Sequence, residues 1–225
     1  ITALRQLATA LGVTGERLDA RKHLNTALKL AQDSGYKVEE ALLVKALGDQ
    51  LFVSGQYKEA IVRFQQAAKL SAQMGQQADR ADALKYLGEC YLAKGEYDRA
   101  IDHLKAALDA FDRSGQLANV VAARCYLANA YIAKNALDDA EQVLRVAAKR
   151  LPADGLANAR AEVYCSQGNL FSARNDFKRG RIAYLHAIAL CRTSHDMFSL
   201  GEATVGFGQL LLRFNKPGRA LRMAK

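Results

Sequence analysis

The chain has an internal repeat of about 40 residues, and this period constrains its fold more than any other feature of the sequence. Similar short segments recur at multiples of this period: Leu47-Gly48, Leu87-Gly88 and Phe207-Gly208, and also Gly55-Gln56-Tyr57 and Gly95-Glu96-Tyr97. We therefore divide the chain into repeats that begin at positions 1, 41, 81, 121, 161 and 201, and we number the repeat positions from 1 to 40. A fixed period of this length indicates stacked supersecondary units that share one continuous core.

Small and large side chains occupy fixed repeat positions. Position 8 holds Ala8, Gly48, Gly88, Ala128, Gly168 and Gly208, and position 20 holds Ala20, Ala60, Ala100, Ala140, Gly180 and Ala220. Large residues fill position 11, with Leu11, Leu51, Tyr91, Tyr131, Phe171 and Leu211, and position 24, with Leu24, Phe64, Leu104, Leu144 and Tyr184. Small residues allow two antiparallel helices to approach closely, and large residues fill the remaining volume. The pattern predicts a helical hairpin in each repeat.

Turn residues divide each repeat into two helices. Position 15 holds Gly15, Gly55, Gly95, Asn135, Asn175 and Asn215, and these residue types tolerate the left-handed conformation that closes a helix. We therefore predict a first helix, helix A, over positions 2–14 and a second, helix B, over positions 17–32. Pro152, at position 32, marks a helix end, and Pro217, at position 17, suits a first helical turn. Further turns are predicted near position 35, at Gly35, Gly75, Gly115 and Gly155.

These motifs resemble the tetratricopeptide repeat family. The resemblance rests on Leu-Gly at positions 7–8, an aromatic at 11, Gly-x-Tyr at 15–17, Ala at 20 and 27, and Pro at 32. It implies an all-α, right-handed superhelical solenoid of antiparallel helix pairs. The whole chain, 1–225, is then one solenoid of about six units: 1–40, 41–80, 81–120, 121–160, 161–200 and the incomplete 201–225. The long unit is similar to the repeats of kinesin light chain, LGN/Pins, the Rap regulators and the MalT sensor domain. We expect the chain to be a fragment of a larger protein.

One stripe of helix A is the candidate binding surface. Positions 2, 5, 6, 9, 12 and 13 lie opposite the stripe that packs on helix B, and the family resemblance implies that they line a concave groove. Position 9 is polar in all six repeats, and amide or carboxylate side chains there can hydrogen-bond the backbone of a peptide. Tyrosines add rigid, amphipathic contact area. The predicted partner-binding residues are Lys45, Asp49, Lys85, Tyr86, Glu89, Tyr126, Asn129, Asn169 and Gln209.

A simpler interpretation of the same stripe is a solvated helix face. Lys45–Asp49 and Lys85–Glu89 have the i, i+4 spacing of ion pairs within one helix. The two carboxylates also disfavour a clamp for a C-terminal carboxylate, the mode of binding that chaperone-binding members of the family use.

Motifs for chemistry are missing from the sequence. There is no zinc spacing, no phosphate-binding loop and no catalytic constellation, so we expect neither an enzyme nor a bound metal or cofactor. The four cysteines, Cys90, Cys125, Cys165 and Cys191, are predicted to be free thiols in a reducing, cytoplasmic compartment. No apolar run has the length of a membrane span.

Three functions follow in order of preference. The first is a scaffold for protein–protein interaction that binds a peptide or helix of a partner in the groove. The second is a regulatory or sensor arm, similar to that of MalT, which contacts other domains of the same full-length chain. The third and least favoured is RNA binding, because the net charge of +9 is concentrated in residues 121–225, where 16 Lys and Arg face 8 Asp and Glu.

Overall fold

A computed structural model of the chain describes residues 1–14, 16–152 and 154–216, which form eleven α-helices and no strand. The helices are α1 (Thr2–Thr14), α2 (Arg17–Asp33), α3 (Lys37–Val53), α4 (Tyr57–Gln73), α5 (Gln77–Ala93), α6 (Tyr97–Ser114), α7 (Leu117–Ala133), α8 (Leu137–Arg150), α9 (Ala157–Ala173), α10 (Phe177–Ser194) and α11 (Met197–Arg213). Odd-numbered helices are helix A of successive repeats, and even-numbered helices are helix B. The predicted all-α fold of paired helices is confirmed.

The helices form two compact units, an N-terminal unit of Ile1–Gly115 and a C-terminal unit of Gln116–Lys225. Within the N-terminal unit, each helix from α1 to α5 packs on the next one, and α3 also contacts α1 and α5. Within the C-terminal unit, α9 lies between α7 and α11 and also packs on α8 and α10. Helix A of one repeat therefore neighbours helix A of the next repeat inside each unit, which aligns equivalent residues in rows.

Short turns with a left-handed central residue join most of the helices. The predicted positive φ is confirmed at Gly55 (74°), Gly95 (76°), Asn135 (63°), Asn175 (60°) and Asn215 (54°). The residue after each of these donates its N–H to a carbonyl five residues earlier, which satisfies a helix-end acceptor. Gly15 and Pro217 lie outside the described residues.

Helix A begins earlier than the sequence predicts. Positions 2–14 were expected, but α3 begins at Lys37 and α5 at Gln77, four residues before the repeat boundary. The reason is the turn at Gly35, whose φ of 72° closes α2 within three residues, so that the next helix starts at once. Turns therefore recur twice in each repeat and at equal spacing. The predicted end before Pro152 is confirmed, because α8 stops at Arg150.

The core depends on a small residue at position 8 beneath a large one at position 24. A Cβ atom added to Gly48 would lie 2.7 Å from the ring of Phe64, and one added to Gly88 would lie 2.5 Å from Cγ of Leu104. Phe64 and Leu104 are fully buried. These distances are far below van der Waals contact, so the glycines set the separation between helices A and B of a repeat.

Two further rows of residues on helix A are buried, although the repeat pattern did not predict their burial. Position 3 holds Leu43, Ala83, Ala123, Val163 and Ala203, and position 10 holds Cys90, Ala130, Leu170 and Leu210, all of them buried. Helix A packs on helix B of its own repeat and also on helix B of the preceding repeat, as α5 does with α6 and α4. It is therefore apolar on most of its circumference and exposes only a narrow stripe.

We predict that Gly88→Ala lowers the free energy of unfolding by about 1–3 kcal/mol, because the new methyl group overlaps Leu104 and lies 3.2 Å from the carbonyl oxygen of Ala100. Urea denaturation followed by circular dichroism measures this change. The matched control is Gly201→Ala, where nothing in the described part of the chain lies within 4 Å of the added atom. It should be neutral or stabilising by up to about 1 kcal/mol, because alanine favours helix more than glycine does. Equal effects of the two substitutions would contradict this account of the core.

Candidate functional site

A cavity of about 420 Å³ opens along α7, α9 and α11 in the C-terminal unit. Four of the predicted binding residues line it, namely Tyr126, Asn129, Asn169 and Gln209. They come from repeat positions 6 and 9 of three successive helices A. The stacking of the repeats thus brings together side chains that are separated by one or two full repeats in the sequence.

A second cavity of about 300 Å³ adjoins the first and shares Asn129, Asn169, Gly206 and Gln209 with it. It continues toward the ends of the same helices and reaches Arg213, the last residue of α11. We call the two cavities together the C-terminal groove. Its central section is formed by the amide side chains.

A chain of hydrogen bonds connects these amides to the core. The Tyr184 hydroxyl, on helix α10, donates to Oδ1 of Asn169 at 2.6 Å, and Nδ2 of Asn169 donates to Oδ1 of Asn129 at 3.1 Å. Tyr184 is only 2% exposed, so its ring fixes one end of the chain. Burial raises the pKa of Tyr184, which keeps its hydroxyl a donor. Within the described part of the chain, the amide nitrogen of Asn129 donates to no acceptor, so its N–H groups are available to a ligand.

The rest of the groove contains thiols and carboxylates. Cys125, which is 4% exposed, and Cys165 line the first cavity together with Glu162 and Glu202. Burial raises the pKa of Cys125, and burial followed by the charge of Glu202 raises the pKa of Cys165 to about 12. Both thiols therefore stay protonated at neutral pH and are poor nucleophiles. All four cysteines are free, as predicted.

The predicted residues of the N-terminal unit occupy a different environment. Lys45 does not form its ion pair within α3: its Nζ lies 3.2 Å from Oδ2 of Asp82 on α5. The expected Lys45–Asp49 ion pair is therefore replaced by an ion pair between adjacent helices A. The reason is the stacking of α3 beside α5, which places the Asp82 carboxylate opposite Lys45. Lys85 and Glu89 approach to 4.0 Å within α5, as their spacing predicts.

The Tyr86 side chain packs against neighbouring side chains of the N-terminal unit and does not extend into solvent. Its ring stacks on that of Phe64, with 5.1 Å between centroids, and Lys85 Nζ lies 4.3 Å from the Tyr86 centroid. Burial raises the pKa of Tyr86, and the charges of Asp49 and Glu89 contribute. The side chains of Lys85 and Glu89 are 17% and 13% exposed, so this stripe is half-buried and is not a freely solvated face.

Asp49 is the most perturbed carboxyl group of the N-terminal unit. Burial raises its pKa to about 6, although Lys45 and Lys85 act in the opposite direction. Its Oδ1 is buried and accepts no hydrogen bond from the residues that the structure describes. A carboxylate in this position is poorly solvated and destabilises the fold at neutral pH.

Several basic side chains of residues 121–225, the part of the chain with the excess positive charge, already have partners. Arg174 contacts Asp138 and Glu141, each at 2.6 Å. Arg179 contacts Asp176 at 2.6 Å, and Nζ of Lys216 lies over the ring of Phe177. Ion pairing reduces the positive charge that these side chains offer to phosphate. Arg219 and Arg222 lie outside the described residues.

The described residues form neither a metal cluster nor a membrane-spanning helix. Over residues 1–14, 16–152 and 154–216, no three His, Cys, Asp or Glu side chains converge as metal ligands would. Over the same residues, no helix combines the length and the hydropathy needed to cross a bilayer.

The repeat is similar to repeats in known proteins. A tetratricopeptide repeat family model matches residues 45–115. None of the curated proteins matches the chain. Among solved structures, the repeats of a kinesin light chain from Podosopora anserina align with a TM-score of 0.67 at 18% identity, covering 85% of this chain and 95% of that one.

Two bacterial proteins align over almost the whole chain. The quorum sensor NprR from B. thuringiensis gives a TM-score of 0.70 at 12% identity and covers 98% of this chain, which spans 62% of NprR. NprR in complex with its cognate peptide NprX gives 0.72 at 11% identity, with coverage of 99% and 64%. Aspartyl phosphate phosphatase F from Bacillus subtilis gives 0.80 at 14% identity, with coverage of 98% and 56%. At identities this low, the alignments show that the fold is shared, and they show the fold alone.

We predict that Asp49→Asn raises the free energy of unfolding at pH 7 by about 1–3 kcal/mol. The folded state holds the Asp49 proton more tightly than the unfolded state, whose carboxyl has a pKa of about 4. The contribution of Asp49 to stability is therefore greatest below pH 4, falls as the pH rises toward the folded-state pKa of about 6, and then levels off. The variant should not show this decrease in stability with pH, and its free energy of unfolding at pH 4 should equal that of the original chain.

Urea denaturation at pH values from 4 to 7.5 tests this expectation. Asp109→Asn, at an exposed position of α6, is the matched control and should change stability by no more than about 0.5 kcal/mol at any pH. A stability difference between Asp49→Asn and the original chain that stays constant with pH would refute the assignment.

Proposed function

We propose, from the premise that the chain is a tetratricopeptide-like repeat protein, that it is a scaffold for protein–protein interaction. In this proposal an extended peptide or a helix of a partner binds in the C-terminal groove. The proposed contact residues are Tyr126, Asn129, Asn169 and Gln209.

The hydrogen-bonded amides of Asn129 and Asn169 are the observation that best supports this proposal. A peptide backbone offers one acceptor and one donor at each residue, and the amide of Asn129 can satisfy an acceptor without breaking its bond to Asn169. Gln209 is exposed at the equivalent position of the next repeat and supplies both a donor and an acceptor. The ring of Tyr126 adds an amphipathic surface beside them.

The charged stripe of the N-terminal unit is proposed as a second contact surface, with Lys45, Asp49, Lys85, Tyr86 and Glu89. Its ion pairs must rearrange for a partner to use them, because Lys45 already contacts Asp82 at 3.2 Å. We therefore assign this surface a smaller share of the binding energy than the C-terminal groove.

A second candidate function is a sensor arm within a longer cytoplasmic signalling protein, of the kind represented by MalT. The observation that favours it is the alignment with the quorum sensor NprR, of which the chain spans 62%. In this case the partners include other domains of the same full-length chain. A full-length sequence with an adjoining nucleotide-binding or DNA-binding domain would support this candidate.

We predict that Asn129→Ala combined with Gln209→Ala weakens binding of the cognate partner by about tenfold, as expected for the loss of two hydrogen bonds. This pair leaves the Tyr184–Asn169 hydrogen bond in place, so the core keeps its polar contact. The partner is first captured from a lysate of the source organism, identified by mass spectrometry and purified. Its Kd for each variant is then measured by calorimetry.

The matched control is Gln142→Ala combined with Asn158→Ala, which removes two amides from exposed positions that do not line either cavity of the C-terminal groove. It should leave the Kd unchanged. Retained affinity in the Asn129 and Gln209 variant would move the binding site to another surface. No captured partner would favour the sensor-arm candidate.

A further inference from the structure

We infer that the C-terminal groove binds a dipolar peptide segment of about five residues, with a cationic side chain at one end and an anionic side chain at the other. This inference rests on the proposed function and specifies the chemistry of the partner. It follows from the distribution of charge along the groove and from the length of α11.

One end of the groove is acidic. Glu162 and Glu202 occupy repeat position 2 of α9 and α11, and both line the first cavity. No lysine or arginine among the described residues lines that cavity, although residues 121–225 carry 16 of them against 8 Asp and Glu. Glu202, for which no basic partner lies among the described residues, therefore offers a local negative charge within a basic surface, and one such charge favours a single cation over a polybasic segment.

The opposite end of the groove is basic. Arg213 lines the second cavity, and no Asp or Glu of the described chain lines it. Arg213 has no ion-pair partner among residues 1–14, 16–152 and 154–216, unlike Arg174 and Arg179. Its guanidinium can donate two parallel hydrogen bonds to a carboxylate.

The separation of the two ends sets the length of the ligand. Glu202 and Arg213 are eleven residues apart on the same helix, which corresponds to about 16 Å along its axis at ~1.5 Å per residue. An extended peptide advances about 3.3 Å per residue, so about five residues span this distance. Asn129, Asn169 and Gln209 lie between the ends, where the backbone of such a peptide would pass.

Apolar side chains border the acidic end. Phe198 and Val205 line the first cavity and are 74% and 61% exposed. Burying them beneath a ligand is favourable, so we expect an apolar residue next to the cation of the peptide.

Affinity selection from peptide pools tests the inference on the whole chain. The pools contain five-residue peptides, N-acetylated and C-amidated, with randomised central residues and with Lys and Glu, Lys and Lys, Glu and Glu, or Gln and Gln at the two ends. One pool of Lys and Glu ends has Lys first, and another has Glu first. Mass spectrometry of the retained peptides should show one of these two oppositely charged pools enriched about tenfold over the neutral pool, which corresponds to about 1.4 kcal/mol.

Variants assign each end of the preferred peptide. Glu202→Gln should remove the preference for Lys, and Arg213→Gln should remove the preference for Glu. The matched control, Arg181→Gln, changes an exposed arginine of α10 outside both cavities and should keep both preferences. Circular dichroism melting confirms that each variant is folded.

The remaining outcomes separate this inference from the proposed function. Retention of all pools alike, still abolished by Asn129→Ala with Gln209→Ala, would overturn the charge assignment and leave the scaffold proposal standing. Enrichment of a like-charged pool would also overturn the charge assignment. Failure to retain any peptide in any pool would count against peptide binding in this groove altogether.

Discussion

The left-handed residue at the centre of each short turn is the constraint on which the rest of the structure depends. Gly55, Asn135 and the equivalent residues reverse the chain within three residues, so that helices of nearly equal length follow one another. Because the turns recur at equal spacing, twice in each repeat, every second helix within a unit presents the same repeat positions in the same direction. Without a uniform helix length, equivalent side chains would not meet in rows.

Rows of equivalent residues produce different surfaces in the two units. In the N-terminal unit, position 5 of one helix A meets a carboxylate of the next helix A, as Lys45 does with Asp82. In the C-terminal unit, position 9 holds amides, and Asn129 bonds directly to Asn169. Both contacts join neighbouring helices. The two charges of an ion pair neutralise each other, whereas an amide that accepts one hydrogen bond can still donate others. The same architecture thus gives a charge-paired stripe in one unit and a groove with open donors in the other.

Sequence reasoning predicted the parts of the fold that depend on residue type at a fixed spacing. The left-handed turns at Asn135 and Asn175 were predictable because few residue types tolerate that conformation. The early start of helix A was not, because three of the four residues 37–40 are charged and no side chain caps the N-terminus of α3. Burial of position 10 was also missed, since a periodic pattern cannot show that a helix is covered from two sides.

The candidate site was predictable as a set of positions but not as a set of contacts. The stripe that contains Asn129, Asn169 and Gln209 follows from helical periodicity, and these residues do line one cavity. The partner of Lys45 depends on the offset between adjacent helices, which the sequence does not reveal. The role of the stripe in binding remains a proposal.

Tyr184 gives the groove a property that its surface residues do not supply. Repeat position 24 is a core position, and a leucine or phenylalanine there fills the same space without a hydroxyl. Because Tyr184 donates to Asn169 at 2.6 Å, the amide of Asn169 cannot rotate freely, and the amide of Asn129 is oriented in turn. A ligand would therefore meet side chains whose rotamer entropy was already lost when the chain folded. Preorganisation of this kind chiefly lengthens the residence time of a complex, so the core tyrosine would control how long a partner stays bound.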